Sequence, residues 1–448
     1  CTYPGGIEFT KTIPKNEGTI SDNVLYEKLL VGKDKFLFFY RGWSKDAKKS
    51  SWLVRSCTLS GEYTKDAKEL DSHIAQNRMK AGDYDIAISP NQELFAVLMS
   101  LPYEKDTKQK IRIKIFDANT LVEKWSKDIT MDIESEKGHN NSIALDDNGN
   151  IYIIKKVAEG NQFKFHYYSA NSTSATLKEI PLTIPEGTLI DQYKVLMTTK
   201  SNLYFTGLYS AKSSVAVDGS FCIKINTGTQ QIDISKFNIF SDRIAGEKSG
   251  LSLQNIEMKD ILFMSSGSFQ IIAEYHKETI SQKTDQTGKT LYDGEIQSNR
   301  VLLMCYKSDG TRDWEATINK NQSFKTTEKN PAVRWDSFAY GFVNDNLYII
   351  YNNMNLQSKW IETNGAEKNK INFSNASYCP FMYVVEPNGN IKFGDKVYGL
   401  PLYKMYESCS ISGACLVPWF GVSLGSGLII IGSSTDAKKS QFGKIVLN

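Results

Sequence analysis

The chain has 448 residues, 41% of them hydrophobic and 12% aromatic, which is ample apolar material for a core. Its 53 Lys and Arg against 50 Asp and Glu leave a formal charge of +3, too balanced to point to nucleic acid or an anionic membrane surface. No apolar run approaches the roughly 18 residues of a membrane-crossing helix, and the strongest, Gly427-Leu428-Ile429-Ile430-Ile431-Gly432, is strand-sized.

The chain opens at Cys1, the residue that carries acyl chains at the N-terminus of processed bacterial lipoproteins. The expectation is lipidation at Cys1, after cleavage of a signal peptide, with residues 1–6 as a tether and 7–448 as a single domain. Thr2–Gly6 spans roughly 20 Å when extended, so the domain would lie against the membrane. A trimmed chain is the alternative.

From residue 24 onward, apolar residues alternate or cluster over five to eight positions between turn residues, the signature of strands. The first unit reads Val24–Leu30, Phe36–Tyr40, Trp52–Thr58 and Glu62–Leu70. Asp85–Ser89, Leu94–Ser100, Ile111–Asp117 and Val122–Ile129 form the second, and Ser142–Asp146, Ile151–Lys155, Phe163–Ser169 and Leu177–Leu182 the third. Three more units follow, from Tyr193 to Phe237, Ile256 to Asn319 and Ser337 to Val397. The C-terminal stretch supplies three strands, Leu416–Leu424, Leu428–Gly432 and Lys444–Leu447, and the N-terminal Ile7–Ile13 supplies one. Three plus one completes a seventh unit. The predicted fold is therefore an all-β, seven-bladed β-propeller of four-stranded antiparallel blades, its last blade closed by the N-terminal strand. Six blades with loose termini is the alternative. Leu70–Lys80 reads as a short helix.

Short Gly/Asn/Asp turns join first strands to second, whereas second-to-third connections such as Arg41–Ser51, Leu101–Lys110, His276–Asn299 and Asn352–Ser377 read as long and polar. The long-connection face is the expected functional face. Trp43, Tyr103, Tyr292, Trp335, Trp360 and Trp419 lie in or beside it and form a candidate binding face for sugar rings or protein hot spots. Local packing is the competing role. Trp125, Trp314 and Phe393 hold matching outer-strand positions and read as blade packing.

Chemistry-bearing motifs are sparse. Cys57, Cys222 and Cys305 sit within apolar strands and read as buried hydrophobes. Cys409 and Cys415 flank a flexible segment and are a possible disulfide, with Cys379 as a rival partner. Asp146-Asp147-Asn148-Gly149-Asn150 places its Gly wrongly for a calcium loop and reads as a turn. His73, His139, His166 and His276 show no zinc-ligand spacing, so no metal and no cofactor is expected. Glu104, Asp106, Glu274, Glu278, Asp285, Asp293, Glu295, Glu362 and Glu367 read as solvated loop acids, although paired carboxylates would meet only in space.

The segment Arg300–Glu315, with its strand, Ser308-Asp309-Gly310 turn and Trp314, resembles repeats of bacterial exported propeller proteins, and Ser89–Ala96 resembles the turn of WD40-like blades. Such proteins accompany outer-membrane machines such as SusCD-type uptake systems, type 9 secretion and barrel assembly. The resemblance implies an outer-membrane lipoprotein and a barrel partner. With chemistry-bearing motifs sparse and the tether short, the leading expectation is a non-enzymatic scaffold subunit of such a complex. A surface glycan-binding lipoprotein and a propeller glycoside hydrolase or lyase are the alternatives.

Overall fold

The computed structural model describes residues 24–446 apart from short segments, the longest being 245–252, 328–335, 355–377, 393–399, 402–414 and 434–439. It is a β-propeller. Blade one orders Val24–Val31, Lys35–Ser44, Lys49–Thr58 and Lys68–Ile74 as one antiparallel sheet. Blade two is Asp83–Ile88, Leu94–Ser100, Lys108–Asp117 and Glu123–Glu134, and blade three is Gly138–Leu145, Ile151–Glu159, Gln162–Ala170 and Lys178–Pro181. Blade four runs Leu189–Met197, Asn202–Ser210, Gly219–Asn226 and Gln231–Ile239. Ile256–Phe263, Phe269–Thr284, Thr290–Tyr306 and Arg312–Thr326 make blade five. Ala339–Val343, Asn346–Met354, Tyr378–Val385 and Ile391–Lys392 make blade six, and Cys415–Leu424, Gly427–Ser433 and Ser440–Val446 give a three-stranded seventh sheet. The expected closing strand Ile7–Ile13 lies outside the described residues.

Within each blade, position sets composition. Leu94–Ser100 is a second strand with neighbouring blades on both faces, so its middle five residues are all buried. The outermost Glu123–Glu134 instead alternates buried and exposed positions over its second half, with one face toward solvent. The core lies between blades. Phe39, Val54, Phe95 and Val97 join blades one and two; Leu98, Ile113, Leu145 and Ile153 join two and three. Similar clusters join three to four, four to five and five to six. Each such side chain stabilises the fold by about 1.5–3 kcal/mol through burial.

Trp125 and Trp314 pack at outer-strand positions, as expected. The indole of Trp314 donates to Pro387 O at 2.8 Å, and the Gly389 turn of blade six lies on its ring. Cys57, Cys222 and Cys305 are buried. Asp146 accepts from the backbone of Asn148 and Asn150 at 2.9 and 2.8 Å, which confirms a turn.

Two expectations need correction. Leu70–Lys80 is not a helix: Lys68–Ile74 is the outer strand of blade one, and only Arg78–Lys80 forms a 3-10 turn. The second-to-third connections of blades one and five are largely strand. Blade one pairs through to Ser44↔Lys49, and blade five through to Thr284↔Thr290. Segment 276–299 is therefore a projecting hairpin, extended on its other edge by pairing of Gly294–Ser298 with Gln322–Thr326. Its polar residues mark strand faces outside the core, not loop.

Candidate functional site

The inner strand of blade two positions the first element of the site. Tyr84 and Ile86 face blade one, with the Tyr84 ring stacked on Trp52 at 4.3 Å. Alternation then turns Asp85 and Ala87 toward blade three, where Ala87 packs. On blade three, Asn141 and Lys155 are directly opposed across the first two strands and so share a face. That face meets Asp85. Asn141 Nδ2 donates to Asp85 Oδ2 at 3.3 Å and to Ser100 Oγ at 3.0 Å. Lys155 is fully buried. From blade one, Lys28 reaches across so that its Nζ donates to Ile86 O at 3.2 Å.

Burial drives the acid and the amines toward neutrality from opposite sides. The Asp85 carboxyl is pushed up to about 6, against the opposing pull of Asn141, Lys155 and Lys28. The Lys155 amine is pushed down to about 8 by burial, although Asp85 and Asp83 favour its charge. Lys28 is exposed as a residue, but its desolvated amine is also held below the usual lysine range. A carboxyl and an amine that both exchange protons near neutral pH can serve as acid and base.

A polar belt continues along the inner strands of blades four to six. Gln192 Nε2 donates to Ile256 O at 2.6 Å, Lys194 pairs with Asp260, and the Tyr340 hydroxyl donates to Asp260. Lys28 couples electrostatically to both Asp85 and Lys194, which ties the two parts together. One local device recurs here. The inner strands of blades one, four and five each carry a bulge, at Glu27, Asp191 and Lys259. All three bulged residues are charged and ion-paired. A bulge re-aims the next side chain, and those next residues are Lys28, Gln192 and Asp260, three members of the belt.

A second polar cluster sits at the root of the projecting hairpin. Glu274 is fully buried, pairs with the equally buried Lys320 and with Lys259 at 3.1 Å, and accepts from Ser337 Oγ at 2.6 Å. Beside it His276 Nδ1 lies 2.8 Å from Ser298 Oγ, which donates to Asp336 at 3.0 Å, while His276 Nε2 meets Glu278 at 2.9 Å. Reading Glu274 as a solvated loop acid is thus corrected: it is the centre of an ion cluster joining blade five to the lead-in of blade six. Burial lowers the Lys320 amine, against the pull of Glu274.

Of the expected aromatic face, the described side chains are those of Trp43 and Tyr292. Trp43 is half-buried in Lys35–Ser44 opposite Ser50, and Tyr292 is half-buried in the blade-five hairpin opposite Gln282. Those two belong to different, non-adjacent blades. Trp419 falls within Cys415–Leu424, its side chain outside the described residues, as is that of Cys415. Cys1, Tyr103, Trp335, Trp360 and Cys409 also lie outside them. Among the described residues, no group of three or more His, Cys, Asp and Glu is arranged to hold a metal, and no helix is long and apolar enough to cross a membrane. Sequence reasoning missed Asp85, Asn141 and Lys155. The available signal was a charge inside an apolar strand, as in Ile151-Tyr152-Ile153-Ile154-Lys155.

No family model and no curated protein matches this chain. Solved structures do match. The polysaccharide lyase Uly1 aligns over 94% of this chain and 89% of its own, at 11% identity and a TM-score of 0.45. The WD40 domain of SCAP from fission yeast aligns over 98% and 97%, at 7% identity and a TM-score of 0.41. An endo-arabinase from Bacteroides thetaiotaomicron aligns over 68% and 93%, at 10% identity and a TM-score of 0.30. These likenesses show the propeller fold. The expectation of a non-enzymatic scaffold is corrected: the solved structures to which this chain is similar include a polysaccharide lyase, a gluconolactonase and two arabinan-degrading enzymes.

Proposed function

We propose that this chain is a polysaccharide-cleaving enzyme whose acid–base centre is the Asp85 cluster between blades one, two and three. One observation carries the reading. Asp85 and Lys155 are brought together from different blades, and burial moves the carboxyl up to about 6 and the amine down to about 8. Cleavage at a glycosidic linkage needs a group that holds a proton near neutral pH and a second that takes one. Asp85 is the proton donor in this reading. Asp260, held by Lys194 and Tyr340 further along the belt, is the second carboxyl group of this reading. Tyr26, exposed on the inner strand of blade one and edge-on to Tyr40 at 6.1 Å, offers a ring for a sugar to stack on.

The matched lyase and arabinases indicate which substrates to try first, and the cluster carries the reading. The test incubates the protein with uronate-rich polysaccharides and arabinans and measures new reducing ends. Ultraviolet absorbance of an unsaturated product separates elimination from hydrolysis. New chain ends from at least one polymer are expected. None from any polymer in the panel overturns the reading.

A further inference from the structure

We infer that Asn141 is the positioning residue for Asp85, and that its carbonyl oxygen Oδ1 is the acceptor for a hydroxyl of the bound saccharide. The inference deepens the reading of the Asp85 cluster as a saccharide site and rests on it. Asn141 is 7% exposed. Both Nδ2 hydrogens are in use, one on Asp85 and one on Ser100 Oγ. Oδ1, by contrast, is buried without a hydrogen-bond partner among the described residues. A buried carbonyl left without a donor is unfavourable, so an acceptor held this way beside an acid–base group is a place for a donor.

The amide cannot relieve itself by turning over. A flip would take both amide hydrogens away from the acceptors they now have, Asp85 Oδ2 and Ser100 Oγ. The orientation is therefore held by the two bonds that Nδ2 donates, and Oδ1 is left for another donor. Lys155, the cross-strand neighbour of Asn141, supplies the cation on the same face. A saccharide hydroxyl has the chemistry to fill that place, since it donates one hydrogen and carries no charge that Asp85 would repel. Gln109 offers an internal comparison. It is equally buried, its Oε1 is also without a partner, and it packs over Gly138 three residues earlier on the strand that carries Asn141.

Asn141→Asp and Asn141→Leu separate the two roles, with Gln109→Leu as the control for loss of a buried amide. Asp keeps an acceptor and loses the donors; Leu loses both. The first readout is the pH midpoint of Asp85, followed by carbodiimide labelling and mass spectrometry, which needs no activity. Both Asn141 variants should move that midpoint upward, by about one pH unit or more in Asn141→Asp, and Gln109→Leu should leave it in place. The second readout is steady-state cleavage. KM should rise about five- to tenfold in Asn141→Leu and clearly less in Asn141→Asp. Should Asn141→Leu fail to fold, Asn141→Ser, shorter but still able to donate and accept, replaces it and should retain part of both effects. An unmoved Asp85 midpoint, or equal KM values in the two variants, overturns the inference. A wild type that cleaves no polymer overturns both the function and the saccharide role of Oδ1, while the labelling result still decides whether Asn141 positions Asp85.

Discussion

At the scale of single residues, the molecule places charge where its strands are otherwise apolar. Lys155 opposes the upward push that burial gives Asp85. Replacing it by Met removes that opposition, and the Asp85 midpoint should climb above about 6, measurable by the same labelling. The sign for stability follows from linkage. The folded carboxyl holds its proton to about 6, whereas the unfolded one releases it near 3.8. The stabilisation from this group is therefore complete below the unfolded value and is lost as pH rises through about 6. Asp85→Asn does not titrate, so its stability should gain on the wild type between about pH 4 and about pH 6.5 in denaturant unfolding. A difference that stays flat with pH would refute the shift. Glu274 and Lys320 are both fully buried. Lys320→Met should cost about 3–5 kcal/mol by leaving buried acid underpaired, and the Glu274→Met/Lys320→Met double variant clearly less than the sum of the two single changes. Neither cluster was legible in sequence, because each pair is joined only by tertiary structure. Glu274 stands at the end of an apolar run and looks like the start of a loop until Lys320 from the outer strand of blade five is set against it.

Strands and turns were more readable. Alternation and Asn/Gly/Asp turns located nearly every strand of blades two to six, because turn chemistry and side-chain period are local properties. What failed was the upper end of the hairpins. Residues 276–284 and 290–299 are polar because one face of the projecting hairpin meets solvent, so composition suggested a loop where backbone pairing continues. The bulges at Glu27, Asp191 and Lys259 were equally hidden, since one inserted residue shifts register without altering composition. Turn glycines yield a sharper expectation. Gly389 has φ of +84°, and a Cβ there would stand 2.6 Å from Trp314 Cδ2. Gly288 has φ of +80° with nothing within 4 Å. Gly288→Ala should cost about 1 kcal/mol for its backbone alone. Gly389→Ala should cost clearly more, by thermal or denaturant melting, because the indole is fixed by its bond to Pro387 O.

For the whole molecule, the fold was legible and the work it does was not. Among the described residues the blades follow one another along the chain, and hydrophobic clusters lie between neighbours from blade one to blade six, so these blades stabilise one another. Propellers bring their first strands together around one axis, and this chain uses that convergence to gather Lys28, Asp85, Lys194 and Asp260 from segments more than two hundred residues apart in sequence. No local motif could announce a site made this way. The decisive comparison is between wild type and Asp85→Asn on the most rapidly cleaved polysaccharide, at matched protein stability, across about pH 5 to 8. Asp85→Asn should lower kcat by about a hundredfold or more, and the wild-type rate should fall as pH rises above about 6. Equal rates in the two proteins would contradict Asp85 as the proton donor.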